Sequence, residues 1–371
     1  MKELYHKHKL IFALILLASS CITPVEPAFK FRDNIIFVDA YALTEAGQSS
    51  VSIQRSLLLN DRFFTESVDD AKVLLINTMT NEEITCSISS DGLYLPPKEF
   101  KVETGESWKL YIELADGRRF ESTPEVVNEG VDIDNIEATF SEEVTFLESE
   151  SKFVPGHRVS INWVDPAGKK NFYLWKYKTY ENLRVCRTCE RGRYRNEMCI
   201  EEPQFRFRNF DYLCEVPCWL IRYGETFQIF DDALVDGNAI ERPVAIVPFY
   251  KKEDILVEIQ QLSLTKATHE YFNLINDILV ESSGLNAPPP AALAGNLINL
   301  DAPTEVVLGQ FTATKSSTIS LFIERRSIRT APIDPNPVPA VENSGMPDDL
   351  IIAPCEESET RTSIRPAGWK G

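Results

Sequence analysis

The sequence predicts a mainly β protein: two immunoglobulin- or fibronectin-like β-sandwich domains, the second with a disulfide-rich insertion and one amphipathic helix. Three observations predict it. Apolar runs of strand length recur along the chain, separated by turn dipeptides such as Asp91-Gly92, Gly105-Glu106 and Asp116-Gly117. One stretch, 263–281, changes to helical spacing. Five cysteines fall between Cys186 and Cys218.

The chain begins with an export signal. Lys2, Lys7 and Lys9 form a basic start, 10–18 is unbroken apolar sequence, and Ser19 and Ser20 precede Cys21. The apolar run is too short to span a bilayer. Small residues before a cysteine are what a lipoprotein signal requires, although Ala18 stands where leucine is more usual. The reading is a signal peptide over 1–20, lipid on Cys21, and a lipidated tether over 21–33 with Pro24 and Pro27. The expected membrane partner is reached through this anchor. A net charge of −18 argues against nucleic acid as a partner.

The first sandwich is expected over 34–125. "IIFVDAYA", "SVSIQRS", "KVLLINT" and "EEITCSI" are its strands, and "SWKLYIELADGRRFEST" is a hairpin around Asp116-Gly117. The stretch 120–151 has ten acidic residues and no lysine or arginine. Its fragment "DIDN" lacks the glycine and glutamate of a calcium loop, so a solvated domain junction is the expectation.

The second β-rich domain is expected over 126–330. "HRVSINWVDPAG" and "NFYLWKYKTY" open it, and 168–208 carries eleven basic against five acidic residues. Alternating strands with one apolar face account for that stretch better than a nucleic-acid site. In the helix, Ala267, Tyr271, Leu274 and Ile278 recur at helical spacing, and Ser263 or Thr265 can cap it. "EVVLGQFTAT" and "STISLFIERR" read as two closing strands. Residues 331–371 read as a proline-rich linker and tail, with Trp369 folding back on the body.

The cysteine-rich insertion spans 184–219. Its C-x-x-C spacing invites zinc, but an exported chain meets oxidising conditions, which favours disulfides. No thioredoxin-like pattern surrounds it, so redox chemistry is the weakest reading. The expectation is three bridges among Cys186, Cys189, Cys199, Cys214, Cys218 and Cys355, of unassigned connectivity, with no metal or other cofactor. Cys86 stays free in a strand-like alternation.

In chain order, the lipobox ending at Cys21, "DGLYLP", "WKLYIELADGRRFES", "INWVDPAGKKNFYLWKY", "CEVPCW", "SLTKATHEYFNLI", "PPPAALAGNLIN" and "VLGQFTAT" resemble the lipoproteins of domain-of-unknown-function family 4249 in Bacteroidota. The resemblance covers essentially the whole chain. It implies an outer-membrane lipoprotein of β-sandwich build, often encoded beside a TonB-dependent transporter. It carries over no catalytic residue. Only Glu26 supplies an acid soon after Cys21, whereas surface-exported relatives often carry several.

No G-x-S-x-G, H-E-x-x-H or P-loop occurs. After the signal only His157, in a turn following Pro155-Gly156, and His269, on the helix, remain. The expected function is therefore non-catalytic: an accessory partner of a TonB-dependent transporter in nutrient capture. A stand-alone adhesin or ligand-binding module is the alternative. It would need an exposed aromatic platform, for which Trp163, Trp175 and Trp219 are candidates more readily placed in the core. A secreted hydrolase would need a cleft with paired carboxylates.

Overall fold

The computed structural model describes residues 34–59, 62–224, 226–281, 293, 295–305, 307–334, 338–342 and 351–370. The signal segment, Cys21, the tether 21–33 and Pro288 to Pro290 lie outside the described residues. Ile35 to Gly371 form one compact unit.

The first region supplies β1 (Ile36–Leu43), β2 (Ser50–Leu59), β3 (Arg62–Ser67), β4 (Lys72–Asn77), β5 (Glu83–Ile88), β6 (Leu93–Leu95), β7 (Ser107–Glu113), β8 (Arg119–Ser122) and β9 (Glu125–Val126). Then come β10 (Asn135–Leu147), β11 (Lys152–Val164) and β12 (Phe172–Asn182). The cysteine-rich lobe holds β13 (Val185–Glu190), β14 (Gly192–Arg195), β15 (Met198–Glu201) and β16 (Asn209–Cys214). After it run β17 (Trp219–Tyr223), β18 (Gln228–Asp231), β19 (Ala239–Pro248) and β20 (Ile255–Ser263). Helix α1 (Lys266–Glu281) precedes β21 (Leu297–Asn299), β22 (Leu308–Ile323), β23 (Ile352–Ala353) and β24 (Arg361–Thr362). The fold is mainly β, as the alternation predicts.

Two hydrophobic cores follow from period-two burial. In the first, Val38, Ala40 and Ala42 of β1 and Val51 and Ile53 of β2 meet Val73, Leu75, Leu110, Ile112 and Phe120 of β4, β7 and β8. In the second, Val159, Ile161 and Trp163 of β11 pack on Tyr173 and Trp175 of β12 and on Val257 and Ile259 of β20. Each buried valine, leucine or isoleucine among them stabilises the fold by roughly 1.5–3 kcal/mol.

The first core draws on chain from both sides of the boundary expected at 125/126, since Val127, Leu297, Val307, Phe311 and Ala313 belong to it. Hydrogen-bonded neighbours run β21-β8-β7-β4-β5-β6-β2-β1-β22-β20-β12-β17-β24. Strand β22 pairs parallel with β1, Phe37 opposite Leu308 through Leu43 opposite Thr314. It puts Phe311 and Ala313 into the first core and Ile319, Leu321 and Ile323 against the second. The two closing strands expected here are thus one strand of 16 residues. Thr314 to Thr318 contain no glycine or proline to turn the chain, so the polar middle simply crosses the junction.

Two glycines let the chain crowd together where β22 meets β1. A Cβ on Gly309 would stand 1.9 Å from the Val38 carbonyl oxygen, and one on Gly295 1.6 Å from that of Gly309. Asn296 then pairs twice with the Phe311 backbone, accepting from its N–H at 2.9 Å and donating to its carbonyl at 2.8 Å. This accounts for the "AGN" and "LGQ" stretches.

The acidic stretch is not merely solvated: 135–147 is the long strand β10, and Glu125 is buried. Glu125 accepts from Thr265, Thr268 and Asn296, while burial raises its pKa. Thr265, not Ser263, caps α1, its hydroxyl accepting from the Thr268 N–H at 3.2 Å. Such a cap contributes about 1 kcal/mol. The buried stripe of α1 passes through Thr268, His269 and Phe272, and Ala267 is exposed. Phe272 packs with Tyr41, Leu43, Leu174, Leu262 and Leu264.

Candidate functional site

The cysteine-rich lobe is closed by three bridges: Cys186–Cys214, Cys189–Cys199 and Cys218–Cys355. Cys86 is free and buried on β5, and burial pushes its thiol up to about 12. The third bridge spans 137 residues and fastens the tail to the lobe. Inside the lobe, Tyr194 and Tyr212 pack between the sulfurs. The expected proline-rich linker is pinned where it is described. Ile333 N–H donates to the Phe249 carbonyl, Asp211 N–H donates to that of Ala340, and Glu342 accepts from Arg195 and Tyr212. Proline lacks one donor, but its neighbours keep theirs, so an extended path can still be stitched down. Trp369 packs edge-on against Trp219 and Phe322.

The three candidate tryptophans are not a platform. Trp163, Trp175 and Trp219 are 1%, 1% and 5% exposed. His157 lies within strand β11 rather than a turn, buried edge-on to Phe140, and burial with nearby Arg325 lowers its pKa to about 4. His269 is buried against Phe172 and lies 3.0 Å from Asn273. Each histidine is on a separate element among apolar rings.

A cleft of about 930 Å³ opens where β12, β17 and β18 face β10, β11 and β19. The inward face of β12 reads Tyr173, Trp175, Tyr177, Thr179, Glu181. Two core aromatics give way to Tyr177, then to a buried threonine and a buried carboxylate. Tyr177 spans the two sheets, its hydroxyl donating to the Ile246 carbonyl at 3.0 Å. Gly224 leaves room for that ring, since a Cβ there would lie 2.3 Å from it.

Glu181 is buried, and its Oε1 accepts from Arg325 at 2.7 Å. Arg325 is fully buried, donates from Nε to the Glu253 carbonyl at 2.7 Å, and lies over the Phe249 ring. Glu181 Oε2 has no hydrogen-bond donor among the described residues, and Arg222 Nε stands 3.6 Å from it. The Arg222 guanidinium also lies over the Tyr250 ring at 5.4 Å. Arg158 completes the charged lining, and Glu181 is its sole carboxylate among the described residues. Sequence reasoning missed this site. Its one legible signal was Glu181, a charge at an inward position of an aromatic strand.

Metal-holding geometry occurs elsewhere. Carboxylate oxygens of Asp165, Asp232 and Asp236 lie within 4.8 Å of one another. Such oxygens suit a hard cation, but hydrogen bonds already engage each residue. Asp165 accepts from Tyr173 and Gly237, Asp232 from the Asn171 N–H, and Asp236 from the Gly168 N–H. These bonds fasten the "VDPAGKKN" turn to the 232–238 loop. Sulfurs of Cys186, Cys214 and Cys218 also cluster, but each is in a bridge and offers no thiolate.

Fold and cleft together define a disulfide-braced, mainly β protein with two cores and an inter-sheet cleft. The chain belongs to the family described as Domain of unknown function (DUF4249), which matches residues 22–320. No curated protein matches it.

Proposed function

We propose that this protein is a lipid-anchored, non-catalytic outer-membrane component. It captures a ligand in the inter-sheet cleft and serves a TonB-dependent transporter as an accessory partner. The observation that carries the binding role is the cleft around Glu181. Its single carboxylate is held by Arg325, so among the described residues the lining offers no second acid to pair with it and no nucleophile beside a general base. The anchor rests on the sequence before Cys21. Among the described residues no helix is long and apolar enough to cross a membrane.

The test is Cys21→Ala together with a mild-detergent pull-down of the native protein from outer membranes. The substitution should leave unprocessed precursor and abolish acyl labelling, and the native protein should bring down a TonB-dependent transporter. A variant still cut at the same place and membrane-held sinks the anchor. A protein recovered alone, yet binding ligand, makes it a stand-alone binding module.

A further inference from the structure

We infer that the cleft takes an anionic ligand whose carboxylate is carried on a ring, either a uronate sugar or an aromatic acid. This deepens the proposed capture role and rests on it, naming the ligand class of the same cleft.

Charge is the first argument. The chain carries −18 overall, yet the charged lining here is Arg158, Arg222 and Glu181. Arg325 already holds Glu181 at 2.7 Å, so among the described residues three guanidiniums, those of Arg158, Arg222 and Arg325, meet one carboxylate. Arg158 is exposed on β11 and makes no ion pair among the described residues. Arg222 approaches Glu181 only at 3.6 Å through Nε, beyond a hydrogen bond, and its side chain is 44% exposed. Its terminal N–H groups have no acceptor among the described residues. A guanidinium steadied by a carboxylate at one edge and a ring below it presents a planar donor fork. That fork matches a carboxylate bidentately.

The second argument is an incomplete buried pair. Glu181 is nine-tenths buried and more, yet Oε2 lacks a hydrogen bond among the described residues. A buried carboxylate left half-satisfied is costly to a fold and is concentrated at functional sites. Here it acts as a positioning residue, drawing Arg222 towards the cleft floor.

Shape is the third. Tyr177 and Tyr250 both line the cleft, and Tyr223 and Phe146 keep 59% and 51% of their surface exposed. Flat rings beside cationic forks select a ligand with a ring face and an acid on the same unit.

Titration calorimetry on the full-length protein in detergent tests this with three probes: a galacturonate oligomer, the same oligomer fully methyl-esterified, and phenylacetate. At least one acid should bind, and which one identifies the ring. The ester should bind about tenfold more weakly than its acid or worse. Arg158→Gln and Arg222→Ala should each weaken the acid about tenfold while thermal unfolding stays unchanged. Failure of both acids to bind overturns the inference. So does equal binding of the ester, or indifference to both arginine substitutions in proteins that remain folded. New reducing ends from the oligomer would overturn the non-catalytic reading and leave the ligand class standing.

Discussion

Gly309 lies directly against Val38 across the parallel pair of β1 and β22, with no room for a side chain between them. Its φ is +120°, and a Cβ would meet the Val38 carbonyl oxygen at 1.9 Å. Gly105 also has positive φ, +90°, but nothing lies within 4 Å of its Cβ position. The two positions separate backbone strain from crowding. Gly105→Ala should cost about 1 kcal/mol. Gly309→Ala should cost roughly 3 kcal/mol or more, because the junction strand must shift. Urea unfolding of both variants checks this, and equal losses would refute the crowding argument.

The Cys218–Cys355 bridge closes the longest loop of the lobe. The double substitution Cys218→Ser, Cys355→Ser should lower stability by about 2–5 kcal/mol. It should also change the emission of Trp369, which packs on Trp219 beside the bridge. Peptide mapping of the purified protein without reduction should recover the three pairings described above. Stoichiometric zinc with six free thiols would contradict them.

His157 makes stability fall in mild acid. Its folded pKa of about 4 lies below the ordinary 6.5, since burial and Arg325 disfavour the charged ring. The unfolded chain therefore takes up the proton first. Stability is full above pH 6.5 and declines as pH falls towards 4, by up to about 3 kcal/mol from this residue. His157→Gln should flatten that slope. An unchanged slope in chemical unfolding between pH 7 and pH 4 would remove His157 as its source.

Arg325 and Glu181 stand or fall together. Arg325→Met leaves the Glu181 carboxylate buried with only the distant Arg222, which should cost about 3–5 kcal/mol. Adding Glu181→Leu should restore most of it, as a double-mutant cycle would show. If the single and double variants lose stability equally, the pair is not coupled as described.

Much of the local structure was legible because its causes are local. Asp116-Gly117 demanded a turn, with Gly117 at φ 90°, and the hairpin of β7 and β8 closes there with Glu113 opposite Arg119. The period change after Ser263 marked the helix, although the buried stripe lies one position from the one counted. The helix packs where Tyr41 and Leu174 wait, and no spacing rule contains that. The six bridging cysteines were legible from their clustering and even number, but their partners were not.

What the sequence by itself determined is the β class, the helix that follows Ser263, the turn positions and the set of oxidised cysteines. Each follows from steric preference, periodicity or redox setting within a short window. The tertiary structure alone decided that one strand serves both cores, that the described part of the proline-rich segment is stitched down, and that the candidate tryptophans are interior. It alone brought Glu181, Arg222, Arg158 and Arg325 to one cleft. Those residues come from β12, β17, β11 and the turn after β22. Contacts between such distant segments depend on which sheet edges meet, and that is set by the packing of two cores at once, not by any neighbour in the chain.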